Sequence, residues 1–321
     1  MPVELNPSPS IGAEGISPVA LFIFNRPEIT QQIVGILQRI NIPTLFVVAD
    51  GPRPGNLEDE VLCRQTRKIV DSISWDCKVH KLYREVNVGC GHSPAQGLDW
   101  VFSQVDRCII LEDDCIPHPS FFRYCSELLE RYLADPRIMM ISGDNYLLGR
   151  HPISNSYLFS INTQTHGWAT WRRAWERYDF YMKDWPQLRS LSWLNQLLAN
   201  KSYAKSWLKN FDFAYYEANH NPNCTFWDYQ WIYACWKYNG LTIIPSVNLI
   251  SNIGYGQSAT HTLEDEHPLA ALACDEMPFP LKHPEIIARD FEADDILKTT
   301  AFGYKPLYIK IFRKILKTLG F

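Results

Sequence analysis

The sequence predicts an α/β protein: a mostly parallel sheet flanked by helices, followed by an aromatic-rich half of a different character. Three observations predict it. Short, continuously apolar runs alternate with amphipathic segments from about residue 19 to residue 141, as in a sheet buried on both faces. That alternation stops near Gly149. Nine of the eleven tryptophans then fall between Trp168 and Trp236.

The elements follow in order. Val19–Phe24 (VALFIF) is a buried-strand run of β-branched and aromatic residues. Pro27 opens a helix whose Ile29, Ile33, Ile36, Leu37 and Ile40 share one face. Thr44–Ala49 (TLFVVA) is a second strand, ending at the turn Asp50-Gly51-Pro52. A helix over Glu58–Ser72 and a strand over Lys78–Tyr83 come next. Ser93-Pro94-Ala95-Gln96 reads as a capping box, with proline at the first position of the helix that it opens. Cys108–Leu111 is a strand that runs into Glu112-Asp113-Asp114. A helix bearing Phe121, Cys125, Leu128, Leu129 and Tyr132 leads to the strand Ile138–Ile141, and Leu241–Gly256 reads as strand and turn. The organisation expected is a loose leader (1–17), an α/β half (18–150), an aromatic-rich half lining a shared cleft (151–300) and a basic tail (301–321). No internal repeat is present.

Composition excludes several classes. Apolar residues make up 46 % and charged residues 21 %, which is the balance of a globular protein rather than a fibrous or disordered one. A net charge of −4 does not favour bulk nucleic-acid binding, which usually needs a basic face. The nine cysteines form no C-x-x-C pair, and several lie in apolar segments, so free thiols in a reducing compartment are expected. The leader has neither a basic start nor an apolar stretch of secretory type, and no apolar run reaches the ~18 residues that span a bilayer. A cytoplasmic location follows as the expectation. The tail (YKPLYIKIFRKILKTLGF) interleaves Lys305, Lys310, Arg313, Lys314 and Lys317 with apolar residues; it suits either a peripheral position on an anionic membrane or docking on the domain.

Glu112-Asp113-Asp114 is the sharpest chemical feature. Three adjacent carboxylates repel one another where desolvation is costly, at a strand end, the place where open α/β sheets bind ligands. A divalent cation, Mn²⁺ or Mg²⁺, would compensate them through hard oxygen donors. Asp50, at an equivalent strand end, can accept hydrogen bonds from a ribose or base, or simply cap its own turn. Asn87-Val88-Gly89-Cys90-Gly91 precedes a helix, where backbone N–H groups favour a phosphate; the G-K-[ST] ending of a Walker loop is absent. Asp228, walled by aromatics in Phe226-Trp227-Asp228-Tyr229, is a candidate general base and equally a helix cap. His261, in a glycine-bearing loop, could complete a metal site or touch a diphosphate. Most of the clustered tryptophans are expected in the core, with Trp168, Trp227 and Trp231 lining the site.

These residues resemble a known family. Val19–Arg26 followed by Asp50, with Glu112-Asp113-Asp114 ending a strand, is similar to the donor half of GT-A-fold glycosyltransferases. His166-Gly167-Trp168-Ala169-Thr170-Trp171, Phe226-Trp227-Asp228 and Asn252–His261 follow in the order of the N-acetylglucosaminyltransferase I type, and bacterial family 2 sugar transferases look similar over the first half. The resemblance covers roughly residues 18–265. It implies a GT-A, Rossmann-like sheet and metal-dependent, inverting transfer of a sugar, from a donor that is UDP-linked by this likeness, to a glycan or glycoconjugate of surface polysaccharide type. It further implies that Asp114 binds the metal with His261 nearby, that Glu112 and Asp113 touch ribose or sugar hydroxyls, and that Arg26 and Asp50 face uracil and ribose. Asp228 falls near the family's base, although the relatives carry two adjacent acids where this chain has Asp228-Tyr229.

Two alternatives compete. A sugar-nucleotide nucleotidyltransferase would share the sheet and the carboxylates, but it usually shows a glycine-rich basic loop where Phe24-Asn25-Arg26-Pro27 stands. A carbohydrate-binding protein without activity would use the tryptophans and have no need of the acidic triplet. The D-x-D-x-[TV] pattern of haloacid-dehalogenase-type phosphatases is missing after the first strand. Sugar, acceptor, linkage and oligomeric state are not legible.

Overall fold

A computed structural model describes residues 15–189, 192–254 and 269–304. The leader up to residue 14, His261 and the tail from residue 305 therefore lie outside the described residues. In chain order the first half contains β1 (Val19–Ile23), α1 (Pro27–Ile40), β2 (Thr44–Ala49), α2 (Leu57–Asp71), β3 (Lys78–Tyr83), α3 (Gly89–Phe102), β4 (Arg107–Glu112), β5 (Cys115–Pro117), α4 (Ser120–Arg131) and β6 (Ile138–Ser142). The second half adds β7 (Tyr157–Ser160), β8 (Trp168–Trp171), the short helices α5 (Arg172–Trp175), α6 (Trp185–Leu188) and α7 (Trp193–Leu198), then α8 (Lys201–His220), α9 (Asp228–Lys237), β9 (Leu241–Pro245), β10 (Ile250–Asn252) and α10 (Phe291–Thr300).

The fold is α/β, with one eight-stranded sheet in the order β3-β2-β1-β4-β8-β6-β9-β7. β3, β2, β1 and β4 are parallel, β8 is antiparallel to both β4 and β6, and β9 is parallel to β6. Only β8 and β7 run against the common direction. Three strands of the second half thus complete the sheet begun by the first. A separate two-stranded sheet pairs β5 with β10.

The strand period explains the layering. On β1, Val19, Leu21 and Ile23 face one core with α1 and α4, whereas Ala20 and Phe22 face the other with α3, α8 and α9. Both faces are covered, so every residue of β1 is buried. α1 buries Ile33, Val34, Ile36 and Leu37 along its apolar stripe, and α4 does the same with Phe121, Phe122, Cys125, Leu128 and Leu129. All nine cysteines are free thiols. No helix among the described residues is long and apolar enough to cross a membrane.

The predicted start of α3 needs correction. Ser93 and Pro94 do not open the helix but lie inside it, because the helix begins at Gly89. A distant carboxylate fixes that end: Asp50, at the end of β2, accepts from the N–H groups of Val88 and Gly89, both at 3.0 Å. Tertiary capping overrides the local signal.

Packing on the α4 side makes a measurable difference between core and surface. Phe121→Ala, at a fully buried position, is expected to lower unfolding free energy by about 3–5 kcal/mol in urea titrations. Leu57→Ala, at a position 74 % exposed, stays within about 0.5 kcal/mol.

Candidate functional site

The site is built on the carboxyl end of β4, which lies between β1 and β8 in the middle of the sheet. The strand delivers Glu112, and the chain turns at once through Asp113 and Asp114 into β5. Asp113 is tied to the end of β1: its Oδ2 accepts from the Phe24 N–H at 2.8 Å, and its Oδ1 accepts from Arg26 Nη1 at 2.7 Å. The same guanidinium nitrogen donates to Asp114 Oδ2 at 3.1 Å. Asp114 Oδ1 accepts from the Cys115 thiol at 3.3 Å. On the far side, Ile253 N–H donates to the Asp114 carbonyl at 2.9 Å, and the Gly254 backbone lies against the Asp114 carboxylate so closely that a Cβ there would overlap it. Glycine at 254 is therefore a requirement of close approach.

Electrostatics at this strand end is governed by burial and mutual repulsion. Burial, Asp114, Asp113 and Asp228 push the Glu112 carboxyl up to about 8, with His166 pulling the other way. Burial also drives Asp113 up to about 6, against the opposing pull of Arg26. Burial alone would favour neutral His166, but Asp144 overrides it, with help from Asp114 and Glu112, and the imidazole is held at about 9. Asp144, at the end of β6, is fully buried. Its Oδ2 lies 3.5 Å from His166 Nδ1, and the Tyr146 hydroxyl is 2.8 Å from the same nitrogen. The His166 ring keeps 37 % of its side-chain surface accessible, so a buried carboxylate anchors a cation that faces solvent.

The sequence reading did not single out Asp144 or give His166 a role of its own. The signal that flagged the triplet, an acid following a buried strand, is present again in Ile138–Ile141 followed by Asp144.

Asp50 and the α3 loop hold one another. Asp50 Oδ1 accepts from Gly51 N–H at 2.9 Å and from Val88 N–H, while Oδ2 accepts from Gly89 N–H. Asn87 Nδ2 donates to the Gly51 carbonyl at 2.9 Å. The expectation of open N–H groups at this helix start is corrected for Val88 and Gly89, whose donors are taken by Asp50. Gly89 has φ +86°, a backbone that glycine alone adopts without strain.

Asp228 is not the cap of α9 but its first residue, with Trp227 at the cap position, and an acid there suits the helix dipole. It is near enough to Glu112 to contribute to raising that carboxyl. The tryptophans expected to line the site do not. Trp168 and Trp231 are fully buried and Trp227 nearly so. Trp168 packs on Trp227 at 5.8 Å, on Trp231 at 5.6 Å and on Trp175 at 6.5 Å. The reason is topological: Trp168 belongs to β8, inside the sheet, and the helices α5 and α9 cover it. Trp168 therefore offers no free face for stacking. Among the described residues, buried side-chain atoms without a hydrogen-bond partner include Thr163 Oγ1, the Gln164 amide, the Trp168 and Trp231 indole nitrogens and Gln230 Oε1.

Among the described residues, no group of three or more His, Cys, Asp or Glu side chains converges as a metal cage. The donor chemistry at Asp114 and Glu112 nonetheless fits Mg²⁺ or Mn²⁺: both are half-buried hard-oxygen groups at a strand end, and such ions commonly take one or two carboxylates together with substrate phosphates.

No protein-family description matches the chain, and no curated protein matches it by sequence. Solved structures do. Mouse xyloside xylosyltransferase 1 in its apo form is similar over 68 % of this chain and 80 % of that one, with 13 % identity and a TM-score of 0.32. UDP-glucose pyrophosphorylase complexed with UDP-glucose is similar over 50 % and 70 %, with 12 % identity and a TM-score of 0.26. The inositol-1-phosphate CTP transferase from T. maritima is similar over 50 % and 74 %, with 8 % identity and a TM-score of 0.28.

The His166–Asp144 pair gives a pH signature. His166 binds its proton more tightly folded than unfolded, so its contribution is complete below its ordinary 6.5 and is lost as pH rises through about 9. Glu112, kept neutral up to about 8 in the fold against an ordinary 4.5, acts in the same direction. Unfolding free energy is expected to fall between about pH 6.5 and 9, as read by urea titration. In Asp144→Asn the slope flattens, and the His166 ring titrates lower by NMR.

Proposed function

We propose that the chain is a glycosyltransferase that moves a sugar from a nucleotide-diphosphate donor, UDP-linked by its resemblance to the GT-A family, to a hydroxyl of a glycan or glycoconjugate, with inversion. The observation that carries this reading is the acidic end of β4. Glu112, Asp113 and Asp114 emerge between β1 and β8, Arg26 is clamped to two of them, and Asp228 of α9 is close enough to act on Glu112. A purely structural acidic turn would not gather three carboxylates at the buried centre of a sheet edge, where desolvation opposes each charge. The burial of Trp168 and Trp231 also removes the tryptophan surface on which a binding-only reading depended.

In this reading the donor lies over the ends of β1, β2 and β4. Arg26 keeps Asp113 and Asp114 fixed in orientation, and the hydrogen-bonded unit of Asp50, Asn87 and Gly89 forms the adjoining floor for the nucleoside. Glu112 and Asp113 are the acceptors for ribose or sugar hydroxyls. Asp114 is the residue assigned to a divalent cation, with Glu112 beside it and His261 as a further candidate; such an ion supplies charge neutralisation for the departing diphosphate. Asp228 takes the proton of the acceptor hydroxyl. The oxygen bonds to the anomeric carbon as the bond to the diphosphate breaks, and the electron pair leaves with the nucleoside diphosphate. One in-line displacement inverts the anomeric centre and needs no covalent enzyme intermediate. A role in polysaccharide synthesis on the cytoplasmic side, with the basic tail meeting the membrane surface, accords with this chemistry.

Calorimetric titration of UDP, GDP and dTDP, with and without Mn²⁺, tests the reading. One nucleotide is expected to bind in a metal-dependent manner, and Asp114→Ala abolishes that binding; failure of all three under both conditions overturns the proposal. Asp228→Asn is expected to retain nucleotide binding while turnover drops by about 10²–10⁴-fold, the usual weight of a general base.

A further inference from the structure

The aromatics that remain exposed in the second half are not tryptophans. Phe213 and Tyr216 on α8 are 55 % and 58 % exposed, although α8 buries Tyr203, Trp207 and Phe211 on its opposite side. Positions 213, 216 and 220 are spaced i, i+3 and i+7, so they share one helix face. The Tyr216 ring stacks on His220 at 4.6 Å and 17°, and Phe213 meets Phe226 at 5.5 Å. Phe226 in turn contacts Tyr229 at 5.4 Å. These rings make a strip on one side of α8 in two groups, with Phe213, Tyr216 and His220 exposed and Phe226 and Tyr229 partly buried against the core, beside exposed Asn219, Asn223 and Thr225.

The strip leads to the candidate site. Phe226 precedes Asp228 by two residues, which extended chain spans in at most about 7 Å. Flat apolar rings bordered by amides and hydroxyls match the two-sided chemistry of a pyranose, whose C–H face stacks on an aromatic while its hydroxyls take hydrogen bonds. The polar rim argues against a bilayer surface, which calls for a broader apolar face with basic flanks.

We infer that Phe213, Tyr216 and Phe226 form a stacking subsite for sugar rings of a glycan, namely those acceptor rings that lie beyond the one that reacts. The word acceptor rests on the transferase reading; the glycan-binding surface does not.

Saturation-transfer NMR on the full chain with malto-, cello-, chito- and manno-hexaose tests the inference. At least one hexasaccharide is expected to receive saturation. Phe213→Ala/Tyr216→Ala weakens its binding by about tenfold or more, roughly the weight of one or two aromatic contacts, and leaves metal-dependent nucleotide binding intact. Phe213→Trp retains binding, and Phe291→Ala, at an exposed ring elsewhere, has no effect. Three results overturn the inference: no transfer to any hexasaccharide, transfer unchanged in the double variant, or a double variant that loses only self-association or binding to anionic vesicles. The two readings fail separately. Nucleotide binding without any saccharide contact removes the subsite alone, and saccharide contact through these rings without nucleotide binding removes the transferase reading alone.

Discussion

Much of the molecule depends on holding three consecutive carboxylates at the end of β4. Left to themselves, Glu112, Asp113 and Asp114 would repel one another in a poorly solvated place. Arg26 spans Asp113 and Asp114, and the Phe24 N–H binds the same Asp113. These bonds fasten the start of α1 to the end of β4. On the other side, the imidazolium of His166 offsets Glu112 and Asp114 while buried Asp144 secures it from beneath. The candidate site is thus an acidic unit, partly compensated by cations that come from the β1–α1 turn and from the segment just before β8.

The first half was largely legible because both of its faces are buried. Continuous apolar runs bounded by turn residues located β1, β2 and β4, and the helical stripes of α1 and α4 predicted Ile33, Ile36 and Leu37, and Phe121, Cys125, Leu128 and Leu129, among the residues that they bury. Local signals failed where a remote group decided the outcome. Ser93 and Pro94 look like a helix start, but the carboxylate of Asp50 sets that start at Gly89. The segment Trp168–Trp171 has too few residues and too much aromatic surface to show strand periodicity, so its place between β4 and β6 was hidden. Composition shows that a segment is rich in tryptophan, but exposure is a property of the fold.

The aromatic half shows a division of labour by side chain. Large indoles fill the space between the sheet and α8 and α9, and several secure their N–H on backbone or carboxylate, as Trp236 does on the Ile161 carbonyl at 2.7 Å and Trp175 on Asp99 at 2.8 Å. Phe213 and Tyr216, by contrast, remain exposed. The triplet and Asp228 could be nominated from sequence because strand ends and charge are local properties, and Arg26 only through the family resemblance; the anchoring of His166 by Asp144 and the Phe213–Tyr216 strip required the folded arrangement.

The insertion of β8 between β4 and β6 has a consequence for how the chain is made. β4 pairs with β1 through residues already present when the strand appears, but its other edge is matched only by Trp168–Trp171. While the intervening chain is being synthesised, the strand that carries the acidic end has a row of unpaired backbone groups along that edge. A product truncated before residue 168 would keep the first four parallel strands with this edge bare, and would be prone to pair with a copy of itself. The centre of the sheet is therefore sealed late, by the same segment that brings His166 to the carboxylates.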